Sequence, residues 1–117
     1  MADTLGSMVP GQDNPVAATR SAVEIGREHE EPRGWRFEIS LARPGTSIAD
    51  PSRHEMTLSW VDYEFWCHGQ SSPSRVAQIV VDALLAAKPE LTLPPRFDAS
   101  TCRRWVRDLD ERIAEGI

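Results

Sequence analysis

The sequence has little of what marks secreted or membrane-spanning proteins. Its two cysteines, Cys67 and Cys102, are too few for a disulfide framework, which predicts free thiols in a reducing compartment. No apolar run approaches the roughly 20 residues that a membrane-spanning helix needs. The first residues have neither the basic start nor the apolar stretch of a secretory signal. We therefore expect a cytoplasmic protein that does not enter a membrane.

An excess of positive charge is also absent. Thirteen basic residues stand against eighteen acidic ones, which gives a formal net charge of −5. Nucleic acid repels such a chain at long range unless the basic residues are segregated. The arginines near the C-terminus are interleaved with carboxylates, which is typical of a solvated helix face. Nucleic acid is therefore not an expected partner.

Aromatic residues are missing from the first third of the chain. Residues 1–34 combine glycine, proline and scattered charges, a composition that predicts a flexible N-terminal tail. Within this tail, residues 15–25 have apolar side chains at helical spacing, and Gly26 fits a helix stop, so a partly helical tail is the alternative. Residues 35–117 are predicted to form a single α+β domain.

Two segments alternate between apolar and polar residues, which indicates half-buried strands. They cover residues 35–41 and 54–60, and we expect them to pair as a two-stranded antiparallel sheet. The connection over residues 43–53 is longer than the usual hairpin loop, so it is either mobile or functional.

Three helices are predicted after the strands. Asp62 is expected to cap a short helix that stops at Gly69, although a strand continuing through Phe65 is the alternative. Ser72 and Pro73 begin a long helix whose apolar residues recur at helical spacing. Asp98 caps the final helix, whose predicted apolar stripe is Cys102, Trp105, Val106, Leu109 and Ile113. The predicted fold is therefore β-β-α-α-α, with all three helices on one face of the two-stranded sheet.

Three motifs run through the second half of the chain. They are Val61-Asp62-x-Glu64-Phe65-Trp66, Ser72-Pro73 and Phe97-Asp98-x-Ser100. With these motifs the chain resembles short bacterial proteins of unassigned function over about half of its length. The resemblance supports a short helix after Asp62 and implies no activity, cofactor or partner.

No catalytic or metal site is predicted. Cys67 and His68, with Cys102 elsewhere, supply ligand types that zinc accepts, so a zinc or thiol protein is one alternative. The chain lacks the C-x2-C or H-x3-H spacing of structural zinc sites, and no orienting group is identifiable for a Cys67 nucleophile. We therefore expect no enzymatic activity and no cofactor.

A second alternative comes from the order strand, helix, helix over residues 56–87. This order is similar to the ribbon-helix-helix family, in which strands of a dimer enter the DNA major groove and a helix N-terminus holds a phosphate. The first helix is shorter than the family requires, and Glu55 places a carboxylate on the reading face. The residues that the resemblance implies for DNA binding are Thr57, Ser59, Ser72, Ser74 and Arg75.

Large aromatic residues are numerous for so small a domain. We expect Trp35, Trp60 and Trp105 in the core, and Tyr63 and Trp66 on the short helix as interface residues. The resulting hypothesis is a small non-enzymatic protein that acts as a protein–protein interaction or self-association module. Its partner would be an unknown protein or a second copy of the chain.

Overall fold

The computed structural model describes residues 22–42 and 51–117, which form a sheet covered by helices on one face. The strands are β1 (Ala22–Glu31), β2 (Gly34–Ala42), β3 (Ser52–Ser59) and β4 (Arg96–Asp98), in the order β1-β2-β3-β4. The first three are antiparallel, and β4 is parallel to β3. The helices are α1 (Trp60–Cys67), α2 (Pro73–Ala87), α3 (Cys102–Trp105) and α4 (Leu109–Gly116), with a 3-10 turn over Ala99–Thr101.

The α+β class is as expected, but the predicted two-stranded sheet with three helices is wrong. The described residues form a four-stranded mixed sheet with four helices. Each added element arises at a place where the local sequence pattern is weak.

Strand β1 lies in the segment that the composition assigned to a flexible tail. Val23 and Ile25 point toward the core and are half-buried against it, opposite Leu41 and Ile39 of β2. The register then shifts at a bulge around Gly26, which is therefore not a helix stop. After the bulge glutamates replace the apolar residues, so the alternation that marks a strand is lost. The remainder of the predicted tail, residues 1–21, lies outside the described residues.

The pairing of the two predicted strands is confirmed. Trp35 lies opposite Leu58 and Phe37 opposite Met56, and all four side chains are buried beneath the helices. Gly34 begins β2 so close to β3 that a Cβ atom there would lie 2.0 Å from the carbonyl oxygen of Leu58. Only glycine permits this approach. Of the long connection between the strands, residues 43–50 lie outside the described part.

Strand β4 has three residues, too few for periodicity to reveal. Its parallel register places Phe97 beside Met56, and the amide of Glu55 donates to the carbonyl oxygen of Pro95 at 2.8 Å. The chain then turns at Asp98, whose carboxylate accepts from the amide of Ser100, as the predicted cap requires.

The long helix α2 is confirmed, whereas the single final helix is wrong. In α2 the Ser72 hydroxyl accepts from the amide of Arg75 at 3.2 Å, with Pro73 in the first turn. The final helix breaks because Val106 is extended (φ −133°, ψ 114°), which separates α3 from α4. The predicted stripe is still buried across the break, except Trp105, which is half-buried. In the part of the chain described here, no helix has the length and apolar character that a bilayer crossing requires.

Candidate interaction surface

Helix α1 is capped at both ends. It directly follows β3 and starts at Ser59, whose hydroxyl accepts from the amide of Asp62 at 3.1 Å. The helix is therefore capped by Ser59 rather than by Asp62, which lies in its first turn. It ends at His68, whose left-handed conformation (φ 54°, ψ 34°) lets its amide donate to the carbonyl oxygen of Glu64. The short helix predicted after the second strand is confirmed, and the strand extension through Phe65 is wrong.

The inner face of α1 is buried against the domain. Tyr63 and Trp66, the two residues predicted to contact a partner, are only 8% and 6% exposed. The Tyr63 hydroxyl donates to the carbonyl oxygen of Ser71, and the Trp66 indole nitrogen donates to Asp110 at 2.7 Å. Both side chains therefore hold α1 on the domain.

The outer face of α1 presents three large apolar side chains to solvent, which we call the α1 patch: Trp60, Val61 and Phe65. Their exposed fractions are 47%, 77% and 58%. Val61 and Phe65 are one helical turn apart, so their side chains are neighbours on one face. The placement of Trp60 in the core was wrong.

Aromatic rings in tilted and edge-to-face contact support the patch from beneath. The Trp60 ring lies 4.5 Å from the Trp35 ring, and both rings contact Tyr63 with centroid distances of 6.1 and 5.0 Å. Ring pairs at these distances contribute about 0.5–1.5 kcal/mol beyond their burial. Trp60 is therefore held in one position although half of it is exposed.

Arg103 of α3 lies beside the α1 patch at the Phe65 end. Its guanidinium lies 4.7 Å from the Trp66 ring centroid and 5.6 Å from that of Phe65. It also pairs with the buried carboxylate of Asp62 at 3.1 Å and with Asp110 at 2.9 Å. Burial lowers the pKa of Arg103, but the hydrogen bonds to the two carboxylates outweigh burial and raise it above its ordinary value.

The residues implied by the ribbon-helix-helix resemblance do not form one surface. β3 lies between β2 and β4, so neither of its edges is open to the strand of a second copy. The Thr57 hydroxyl donates to Asp98, while Ser59 and Ser72 cap α1 and α2. Ser74 contacts Ser72, and Arg75 is exposed on the first turn of α2. This arrangement gives the DNA-binding alternative no support.

The residues of the zinc or thiol alternative do not form one site either, because they differ in burial. Cys67 is a buried free thiol, 3.9 Å from the carbonyl oxygen of Ser71, whereas His68 is exposed at the end of α1. Cys102 is buried in α3. Over residues 22–42 and 51–117, no three histidine, cysteine or carboxylate side chains lie close enough to hold a metal ion.

The sheet face opposite the helices carries a line of alternating charges. Arg36 pairs with Glu31 and with Glu55, each at 2.9 Å, and Arg96 lies 3.4 Å from Glu55. These side chains line a shallow depression that crosses all four strands. Because the charges neutralise one another across the strands, the face has the features of a solvated surface rather than of a ligand site.

One signal in the sequence could have identified the α1 patch. The helix reads Trp-Val-Asp-Tyr-Glu-Phe-Trp-Cys, with apolar residues on every side. A short helix that packs on a domain through one face cannot bury such residues on all sides, so some must reach solvent. Which ones do so depends on where the rest of the domain lies.

Comparison of the chain with protein-family models, with curated proteins and with solved structures finds no match.

Proposed function

We propose that the chain is a non-enzymatic binding module that recognises another protein through the α1 patch. The observation that carries the proposal is the exposure of Trp60, Val61 and Phe65 together on one helix. Tryptophan is among the residues most enriched at the energetic centres of protein interfaces. A cytoplasmic location belongs to the same proposal, and its support is that both cysteines are free and buried.

The size of the patch suits the centre of an interface. Two half-exposed aromatic rings and a valine offer on the order of 300 Å² of apolar surface. A typical specific interface covers about 800 Å² on each partner, with an apolar centre and a polar rim. The α1 patch would therefore supply the anchor, and surrounding polar residues would supply the rest.

The rigidity of α1 favours binding. Ordering a mobile side chain on binding costs about 0.5–1.5 kcal/mol. The Trp60 ring is already fixed by Trp35 and Tyr63, and the helix is fixed by the Arg103 ion pairs. A partner would therefore bind side chains that are already ordered, and this part of the ordering cost would be avoided.

Site-specific photo-crosslinking in the source cells tests this function. A photoreactive benzoyl-phenylalanine is placed at position 61 and, as a matched control, at position 86, since Val61 and Ala86 are both exposed helical residues. We expect one discrete crosslinked protein from position 61 and not from position 86. A Phe65→Asp change in the same chain should remove that product. Identical products from both positions, or none from position 61, would contradict the proposal.

A stability control accompanies the experiment. Phe65 and Val61 are 58% and 77% exposed, so we expect Phe65→Asp and Val61→Asp to keep the free energy of unfolding within about 1 kcal/mol of the parent chain. Urea denaturation checks that lost crosslinking reflects a lost contact rather than a lost fold.

A further inference from the structure

The α1 patch has acidic residues on two sides. Glu64 lies on α1 itself, three residues after Val61 and next to Phe65, and its side chain is exposed. Residues three apart in a helix are neighbours on its surface. Among the described residues, no ion pair involves Glu64, so its charge is available to a partner.

Two further glutamates lie on β1, the outer strand of the sheet. Glu30 and Glu28 of β1 stand opposite Trp35 and Phe37 of β2. Directly opposite residues in an antiparallel pair point to the same face, so both glutamates lie on the helix-covered side of the sheet. Because the Trp35 ring lies 4.5 Å from the Trp60 ring, Glu30, which is opposite Trp35, lies beside the α1 patch. Both glutamates are exposed, and neither has an ion pair in the described part of the chain.

Less positive than negative charge lies near the α1 patch. Arg33, in the β1–β2 turn, is exposed, and its carbonyl oxygen accepts from the amide of Trp60 at 2.8 Å. The guanidinium of Arg103 is already paired with Asp62 and Asp110. Glu30 and Glu64 therefore border the patch without an ion pair among the described residues, and Arg33 is the exposed basic residue whose backbone contacts α1.

We infer that the α1 patch binds a protein segment in which an apolar or aromatic anchor is flanked by lysine or arginine. This inference rests on the proposed function, since it names the partner of the same surface. The apolar anchor covers Trp60, Val61 and Phe65, and the basic side chains neutralise Glu30 and Glu64. A second copy of the chain is a poorer occupant because it would bring Glu30 and Glu64 of both copies toward one another.

The test is selection from a random dodecapeptide library on the full-length protein, with parallel selections on Val61→Asp and on Glu30→Gln/Glu64→Gln. We expect enriched peptides that carry an aromatic or leucine anchor with an excess of lysine and arginine. These peptides should fail to bind Val61→Asp. The glutamine double variant should bind them roughly tenfold more weakly at low salt, and added salt should reduce this difference. Fluorescence anisotropy of labelled peptides gives both affinities.

The outcomes separate the two proposals. Enriched peptides that need Val61 but are neutral or acidic overturn the basic partner and leave the proposed function standing. Peptides that bind Val61→Asp as well as the parent, or no enrichment at all, overturn both. A dimeric mass in light scattering that becomes monomeric in Val61→Asp replaces the basic partner with a second copy.

Discussion

Arg103 links three helices beside the α1 patch. From α3 it reaches Asp62 of α1 and Asp110 of α4, and it covers the Trp66 ring. Asp62 is the buried charged residue of the described core, at 8% exposure. Its carboxylate accepts from Arg103 at 3.1 Å, so removing the arginine leaves a buried negative charge without this partner.

The first prediction concerns this ion pair. Arg103→Met should lower the free energy of unfolding by about 2 kcal/mol, because Asp62 loses its charged partner while part of the packing on Trp66 is kept. Urea denaturation measures the loss. Arg104→Met is the matched control, since Arg104 is an exposed neighbour, and should change stability by less than about 0.5 kcal/mol. If Arg103→Met lowers the free energy of unfolding by the same amount when Asp62 is replaced by Asn, the Arg103–Asp62 ion pair is not the cause of the loss.

Asp98 joins the end of β4 to the turn that leads into α3. Its carboxylate accepts from the amide and hydroxyl of Ser100 and from the hydroxyl of Thr57 on β3. Burial raises the pKa of Asp98, but the hydrogen bonds from Ser100 and Thr57, with the charge of Arg103, hold it below its ordinary value. The folded state therefore favours the ionised carboxylate.

The second prediction follows from the sign of this shift. A carboxyl whose pKa is lower in the folded state stabilises the fold above its unfolded pKa, and the contribution is lost as the pH falls through the folded pKa. Asp98→Ala should cost about 1–2 kcal/mol near neutral pH, and the difference from the parent should shrink below about pH 4. Urea denaturation at several pH values measures it. Glu90→Ala, at an exposed residue between α2 and β4, is the control and should change the free energy of unfolding at neutral pH by less than about 0.5 kcal/mol.

At the scale of elements, β1 is held by its pairing with β2 rather than by a strong pattern of its own. Only Val23 and Ile25 contact the core, and the bulge after Ile25 shifts the register. Beyond the bulge the strand carries Glu30, which borders the α1 patch. A bulge and exposed charges on an outer strand also discourage unwanted edge pairing.

The third prediction tests whether β1 belongs to the folded domain. Ile25→Ala should lower the free energy of unfolding by about 1–2 kcal/mol, because its side chain is half-buried against the core. Glu24→Ala, at the adjacent exposed position, should have little effect. If Ile25→Ala and Glu24→Ala both left the free energy of unfolding nearly unchanged, β1 would not pack on the domain. Thermal or urea denaturation distinguishes the two results.

At the scale of the whole molecule, one core joins the sheet to all four helices. Phe37 and Met56 from the sheet, Leu84 of α2 and Ile113 of α4 are fully buried in it. The thiols of Cys67 and Cys102 lie in the same core. Burial, with the nearby charge of Asp98, raises the pKa of Cys102 to about 12, so its reactive thiolate is scarce in the folded protein.

The fourth prediction uses the thiols as reporters of unfolding. Neither cysteine should react with a thiol reagent such as Ellman's reagent at neutral pH until the domain opens, and the labelling rate should rise with urea as the fold is lost. The fully unfolded chain, in which both should react quickly, is the reference. Fast labelling of Cys67 in the native protein would instead favour the thiol alternative.

Local sequence patterns predicted the parts of the fold that depend on neighbouring residues. Alternation identified β2 and β3, helical spacing with Ser72 and Pro73 identified α2, and Asp98 was correctly placed as a cap. The preference for a helix after the second strand was correct, although its cap is Ser59. In each case the interactions that decide the structure span a few residues, so the sequence contains their signal.

Tertiary structure decided the rest. The three-residue β4 exists because it pairs with β3, far earlier in the chain. β1 is held by β2 and the core although its own alternation is broken, and Val106 leaves the helical conformation where α3 and α4 separate. The α1 patch was missed for the same reason. Tyr63 and Trp60 are both large aromatic residues on one short helix, and only the position of the core determines that Tyr63 is buried and Trp60 exposed. Contacts between residues far apart in the chain fix these outcomes, and local periodicity does not encode them.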